Sequence, residues 1–355
     1  MTGCRPSDRS NGHAVLQVFG RDVSAASPKR RSVLLHGALE YWRQRGFPYP
    51  KLTATEMATE FERVANARPE HILQEDEVHA STQGLRLANS FHPQMWHVPT
   101  RRHLLSPMDH FGDDATLRTV LQRAAKFWPN RRCWNPQCVR SAIRVYSGGR
   151  VSNFRPTAAR AIIAQYSHRG DTVLDFSAGY GGRLLGCLTL DRTYLGIEPA
   201  QAQVAGLRQM CTALRKYTSA EATVSRACAE EFMATLVPRS VDLIFSSPPY
   251  FNVERYSTEE SQSYCRYRSY ETWKGSFLKS VLAASHRALR NGGYLVVNVA
   301  NTDRHPIAAD LVAMSRAFFR HHRLLRLLMH SRPLQRSAGD TFRWEPILVL
   351  KKKCV

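Results

Sequence analysis

Ser247-Pro248-Pro249-Tyr250 is the stretch of this 355-residue chain whose residue types bear most directly on chemistry. The Ser247 hydroxyl and the Pro248 carbonyl are two neighbouring hydrogen-bond acceptors, and neither proline carries an N–H to compete for them. Such a pair suits a weakly nucleophilic exocyclic amino group, of the kind cytosine and adenine carry. The amino lone pair is delocalised into the ring, and acceptors for its N–H groups let it localise on nitrogen as a methyl group arrives. The two prolines stiffen the loop at little entropic cost, and Tyr250 offers a flat face on which a base can stack. Direct displacement of this kind needs no covalent enzyme intermediate. The chain holds no Pro-Cys dipeptide, which a covalent attack on cytosine C5 would call for. A rigid strand-ending turn is the plainer reading of Pro-Pro. Its position favours chemistry: the apolar run Val241 to Ser246 delivers the loop to the carboxyl edge of a sheet, where ligands bind.

A second unit stands upstream. Thr172 to Asp175 reads as a strand, followed by the turn Phe176-Ser177-Ala178-Gly179-Tyr180-Gly181-Gly182 and a helix from about Arg183. Glycines there let the backbone approach a ligand. The turn lacks the full Gly-x-Gly-x-x-Gly dinucleotide fingerprint and is led by an acid. The next strand, Tyr194 to Ile197, ends in Glu198, 23 positions after Asp175 and placed to accept from two vicinal ribose hydroxyls. Glu230 is a third candidate, either for an adenine amino group or as an exposed acid at a helix start.

The elements that must position these residues alternate. Short apolar or β-branched runs and helical patterns succeed one another from about residue 151, which predicts a parallel sheet covered by helices. The region before it is mainly helical and basic: residues 1–31 read as a mobile basic arm, and 32–150 as a helical domain. Thr53 or Thr55 can cap one of its helices, and residues 117–128 form another. The 50 Lys and Arg outnumber the 29 Asp and Glu, a net charge of +21 that favours a polyanionic partner. The eight cysteines show no zinc spacing, so free thiols and no bound metal are expected. No apolar stretch is long enough to span a bilayer, and residues 1–11 carry no signal-peptide core. A soluble, cytoplasmic protein associated with nucleic acid is expected.

On these residues the expected catalytic domain, 151–355, resembles over about 151–353 the class I S-adenosylmethionine-dependent methyltransferases, and among them the DNA amino-methyltransferases that modify cytosine N4 or adenine N6. Asp175 to Gly182 is similar to their first motif, Ser247 to Tyr250 to their fourth, and Asn153-Phe154-Arg155-Pro156 to the segment that holds the methionine end of the cofactor. The resemblance implies an α/β, Rossmann-like fold with a seven-stranded mixed sheet whose last strand is antiparallel. It also implies S-adenosyl-L-methionine as cofactor and a flipped target base. Cofactor-binding residues would be Phe154, Pro156, Asp175, Phe176, Ser177, Ala178, Gly179, Gly181, Glu198 and Glu230. Ser247, Pro248, Pro249 and Tyr250 would be catalytic. Serine in first position favours cytosine N4 over adenine N6. Familiar cytosine-N4 enzymes often carry the fourth motif before the first, whereas here the first leads.

Only 48 positions separate Pro199 from Ser247, too few for a large recognition domain. Recognition would then fall to the first 150 residues, with Phe91, His92, Trp96, Arg101 and Arg102 as candidates. Interleaved Arg and Tyr after the fourth motif (Phe251, Arg255, Tyr256, Arg266, Arg268) suit gripping a nucleic-acid strand. DNA is the expected partner and RNA the alternative. A non-catalytic nucleic-acid-binding protein is a further reading, and nicotinamide redox chemistry would leave Ser247 to Tyr250 unexplained. Asp175→Ala is expected mainly to weaken cofactor binding.

Overall fold

Alternate residues of the central strands feed two apolar layers. Val173, Leu243, Phe245, Val296 and Val349 pack on one face, and Leu174, Ile244, Leu295, Val297 and Leu350 on the other. Burial on both faces is what near-continuous apolar strands require. The computed structural model describes residues 14–99, 105–148, 151–252, 255–329 and 343–353. Among the described residues, nine strands form one sheet: β1 (Leu73–Gln74), β2 (Glu77–Val78), β3 (Thr172–Asp175), β4 (Thr193–Glu198), β5 (Ala222–Arg226), β6 (Val241–Ser246), β7 (Leu289–Asn298), β8 (Phe319–Met329) and β9 (Arg343–Lys352). Their order is β1-β2-β8-β9-β7-β6-β3-β4-β5. Strands β5, β4, β3, β6 and β7 run parallel, and β9 is antiparallel to both β7 and β8. The last seven strands in chain order make a Rossmann-like mixed sheet with an antiparallel final strand, the arrangement expected from the sequence.

Two strands exceed the expected seven. The hairpin β1–β2 extends the sheet beyond β8, with Glu77 opposite Arg326 and Val78 opposite Leu327. Asp76 fixes this addition: its carbonyl accepts from Arg326 N at 2.7 Å and its carboxylate pairs with Arg323.

The chain divides into two compact units, one of residues 1–51 and 93–151 and the other of 52–92 and 152–355. The boundary at 151/152 lies where the sequence pattern changes, but 52–92 does not belong with the other amino-terminal residues. Its helix Ala54–Ala65, capped by Thr53 in a capping box with Glu56, buries Phe61 and Val64 in the core that Ile162 and Leu185 share. The expected arm through residue 31 is also corrected from residue 14 on, residues 1–13 lying outside the described residues. Residues Gly20–Ala25 and Pro28–Arg45 are helical, and Arg31 ties them together by donating to the carbonyls of Val23, Ser24 and Ala26.

The first unit is a helical bundle around Leu35, Trp42, Leu117, Leu121, Trp134 and Ile143. Trp134 is fully buried and donates from Nε1 to Leu121 O at 2.9 Å, so its polar atom is satisfied. Among the described residues, no helix is long and apolar enough to cross a membrane, and no group of three or more His, Cys, Asp or Glu is placed to hold a metal. Cys133 and Cys138 are buried thiols, and burial pushes Cys133 up to about 12.

Candidate active site

Strands β3 and β6 are neighbours, so the two candidate loops leave the sheet side by side. Asp175, at the end of β3, is fully buried and accepts four hydrogen bonds. Ser246 Oγ donates to Oδ1 at 2.7 Å, Ser177 N to Oδ1 at 3.2 Å, Arg183 Nε to Oδ2 at 2.7 Å, and Tyr194 OH to Oδ2 at 2.9 Å. Arg183 is also buried, donates to Ser177 O and lies over the Phe154 ring. Burial works to lower the Arg183 pKa, but the Asp175 charge and its hydrogen bond outweigh it and hold the guanidinium above its ordinary value. With its acceptor sites filled by protein donors, Asp175 anchors the glycine-rich turn from beneath. The sequence reading of it as a cofactor contact is corrected to that extent.

The turn itself is built on left-handed glycines, Gly179 with φ +56° and Gly181 with φ +77°. A Cβ on Gly179 would make only ordinary contact, with Ser177 O at 3.8 Å, so no side chain is packed against the turn there. At Gly182 the constraint is contact: a Cβ would fall 1.9 Å from Phe154 O. Asn153 makes that close approach possible. Its Oδ1 accepts from Gly182 N at 3.1 Å, and its Nδ2 donates to Tyr180 O at 2.8 Å and Asn89 Oδ1 at 3.0 Å. The segment at Phe154 and Pro156 therefore buttresses the turn: Pro156 opens the helix Pro156–Tyr166, and Phe154 packs edge-on against Phe245. Phe176 and Ala178 are buried in the core, while Ser177 is half-buried.

Glu198 closes the other side. It is 8% exposed, and its carboxylate accepts from Gly179 N at 3.0 Å and Ala200 N at 3.1 Å. Burial pushes its pKa up to about 7 against the lowering effect of those two N–H groups.

Beyond Ser246, the Ser247 hydroxyl donates to Asn298 Oδ1 at 3.2 Å. Pro248 is buried, and the Tyr250 hydroxyl accepts from Ala300 N at 3.1 Å, which fixes the ring at the end of β7. The chain then turns sharply. Phe251 has φ +53°, an uncommon conformation for a bulky residue, and its ring is buried against Tyr270, Trp273 and His305. Phe251 is thus a core residue that holds the loop, and its expected place on a nucleic-acid surface is corrected.

Residues 255–267 form a strap across the carboxyl ends of β4 and β5. Glu259 accepts from Gln201 N at 3.0 Å and from Arg226 at 3.0 Å, Ser261 Oγ donates to Pro199 O at 3.3 Å, and the Tyr256 ring meets Tyr180 edge-on at 5.7 Å. Arg266 pairs with Glu230 at 3.3 Å and with Glu231, while Tyr267 OH donates to Glu230 Oε1 at 2.6 Å. Arg266 therefore fastens the strap to Glu230 and is not a phosphate contact, because its charge is already matched by two carboxylates. Arg255 lies over Tyr264 and, like Arg268, is exposed. Arg101 and Arg102 lie outside the described residues. Two other recognition candidates are buried: Trp96 in the core of the first unit, and His92 in the second, where burial lowers its pKa to about 4 and keeps it neutral.

Asn298 and Asn89 are the site residues that sequence reasoning missed, and Asn153, though it heads the Asn153 to Pro156 segment, receives no role of its own from the sequence. Each acts through an amide whose partner is distant in sequence, and no local pattern marks it.

No family model matches the chain, and no curated protein is similar to it. Among solved structures it resembles the tRNA methyltransferase TrmI of Aquifex aeolicus, with TM-score 0.39 and 11% identity over 58% of this chain and 72% of that one. An S-adenosylmethionine-dependent O-methyltransferase of Thermotoga maritima overlaps with TM-score 0.39 and 14% identity over 60% and 71%. TrmN of Thermus thermophilus overlaps with TM-score 0.37 and 18% identity over 56% and 49%. The substrate must be read from the residues of the site.

Proposed function

We propose that this chain is an S-adenosylmethionine-dependent methyltransferase that modifies an exocyclic amino group of a nucleic-acid base, with cytosine N4 of DNA the favoured target. One observation carries the reading. The Ser247-Pro248-Pro249-Tyr250 loop begins one residue after the hydroxyl that bonds Asp175, so an acceptor-rich loop and a glycine-rich turn flank the same edge of the sheet. The residues present fit the cofactor: Glu198 offers two carboxylate oxygens for a ribose diol, and no atom but Ser177 O lies within 4 Å of where a Gly179 Cβ would sit. When bound, the cofactor supplies an electrophilic methyl group.

The chain's own residues then orient the acceptor. Ser247 Oγ and the Pro248 carbonyl receive the amino N–H groups, and Tyr250, fixed by its hydroxyl, supports the base by stacking. The first unit supplies charge for the phosphate backbone: its described residues hold fourteen Lys and Arg against five Asp and Glu.

Transfer of label from S-adenosylmethionine to unmodified duplex DNA, single-stranded DNA and total RNA tests the reading. Label in DNA supports it, and label in RNA alone moves the substrate to RNA. No label, with cofactor demonstrably bound, overturns it.

Glu198 gives the binding step a pH signature. Its free carboxyl titrates near 7, and a ribose diol donates best to the ionised form, so binding should release a proton below that pH. Affinity should therefore rise as pH increases, by about tenfold from pH 6 to pH 8, and level off above. Calorimetric titration across that range checks this, and Glu198→Gln should bind weakly with no such slope.

A further inference from the structure

A serine is an ambiguous group for the role just assigned, because a hydroxyl donates as readily as it accepts. A carbonyl or carboxylate oxygen in the same place can only accept. A Ser247 proton turned toward the substrate would confront the very hydrogens it is meant to receive.

The surroundings of Ser247 remove that ambiguity. Its hydroxyl donates to Asn298 Oδ1 at 3.2 Å, which commits its only hydrogen to the end of β7 and leaves the oxygen lone pairs for another partner. The Asn298 amide is itself held in one orientation. Its Nδ2 donates to the carbonyl of Pro346 at 3.2 Å. A carbonyl only accepts, so a reversed amide would set oxygen against oxygen. Asn298 is 5% exposed and stands opposite Ile347 in the β7–β9 register, so the strand pairing fixes its backbone as well.

We propose that Asn298 is a positioning residue that fixes the polarity of the Ser247 hydroxyl, making it an acceptor for the amino group of the target base. The inference rests on the amino-methyltransferase reading. It also gives the loop's serine the one-way character that a carbonyl or ionised carboxylate oxygen has intrinsically. Pro346 acts at one remove, through the carbonyl that keeps the Asn298 oxygen facing the loop.

The experiment is a double-mutant cycle on the full chain, with S-adenosylmethionine and unmodified duplex DNA (or RNA, if RNA is what the wild-type chain methylates). Asn298→Ala should lower kcat by about 10–100-fold, the range expected when a reacting group is misplaced, with KM for the cofactor within about twofold. In the Ser247→Ala background the same substitution should cost no further rate, because the hydroxyl it orients is gone. Asn298→Cys, closer in volume and a poor acceptor, takes the place of the alanine variant if that one does not fold. Equal kcat for wild type and variant would overturn the proposal, and so would a loss that adds in full to that of Ser247→Ala, which marks a merely structural role. Failure of the wild-type chain to methylate any nucleic acid would instead remove the reading on which the proposal stands.

Discussion

Ser247→Ala is expected to lower kcat by about 10²–10³-fold, the range seen when one preorganised polar group is removed from a transition state, while the cofactor Kd stays within about twofold. The split follows from geometry. Ser247 makes its one described hydrogen bond to Asn298, at the end of β7, and takes no part in the Asp175 and Glu198 contacts that shape the turn. Its loss leaves the glycine-rich turn intact and removes an acceptor needed only as the amino nitrogen reacts. Single-turnover rates with saturating cofactor, beside calorimetric Kd values, separate the two effects. A variant that loses cofactor affinity in proportion to rate would place Ser247 in the binding machinery instead.

Asp175→Ala should act mainly on stability, not on cofactor affinity as the sequence alone suggests. Its removal strands Arg183, a buried guanidinium whose carboxylate partner sits 2.7 Å away. Uncompensated buried charges of this kind cost about 3–5 kcal/mol, which for a unit of this size lowers Tm by about 10 °C or more. Arg183→Met should destabilise comparably. The Asp175→Ala/Arg183→Met double variant should lose much less than the two single losses added together, because neither charge is then left alone. Thermal unfolding followed by circular dichroism measures all three. An Asp175→Ala protein with unchanged Tm and a weakened Kd would restore the carboxylate to the cofactor.

The contrast between these two positions shows what a sequence can and cannot carry. Ser247 to Tyr250 is legible because its chemistry is contiguous: two acceptors, two stiff residues and an aromatic follow one another at the end of an apolar strand. The Asp175–Glu198 spacing is legible because each acid ends a strand. The partners of Asp175 are less so. Arg183 opens a helix eight residues later, Tyr194 lies on the next strand and Ser246 is 71 residues away. Only folding shows that together they saturate one carboxylate. Asn298 has the same character, its role set by β9 pairing beside it.

Strand β8 was hidden for a different reason. Phe319 to Met329 contains no β-branched residue and is rich in Leu, Arg and His, a composition without strand preference. It becomes a strand because β9 pairs along its length and buries Leu325 and Leu327. The interleaved Arg and Tyr of residues 255–268 misled through chemistry. They have the composition of a nucleic-acid grip, yet Arg266 and Tyr267 are spent on Glu230, and only the exposed Arg255 and Arg268 keep that role open.

The most direct test is nucleoside mass spectrometry of unmodified DNA after incubation with the full chain and S-adenosylmethionine, run beside Ser247→Ala. The wild-type chain is expected to leave N4-methylcytosine and the variant almost none, as the cytosine-N4 assignment requires. A DNA left unmodified by a chain that binds the cofactor would contradict it, as would a product methylated on carbon or on a ring nitrogen.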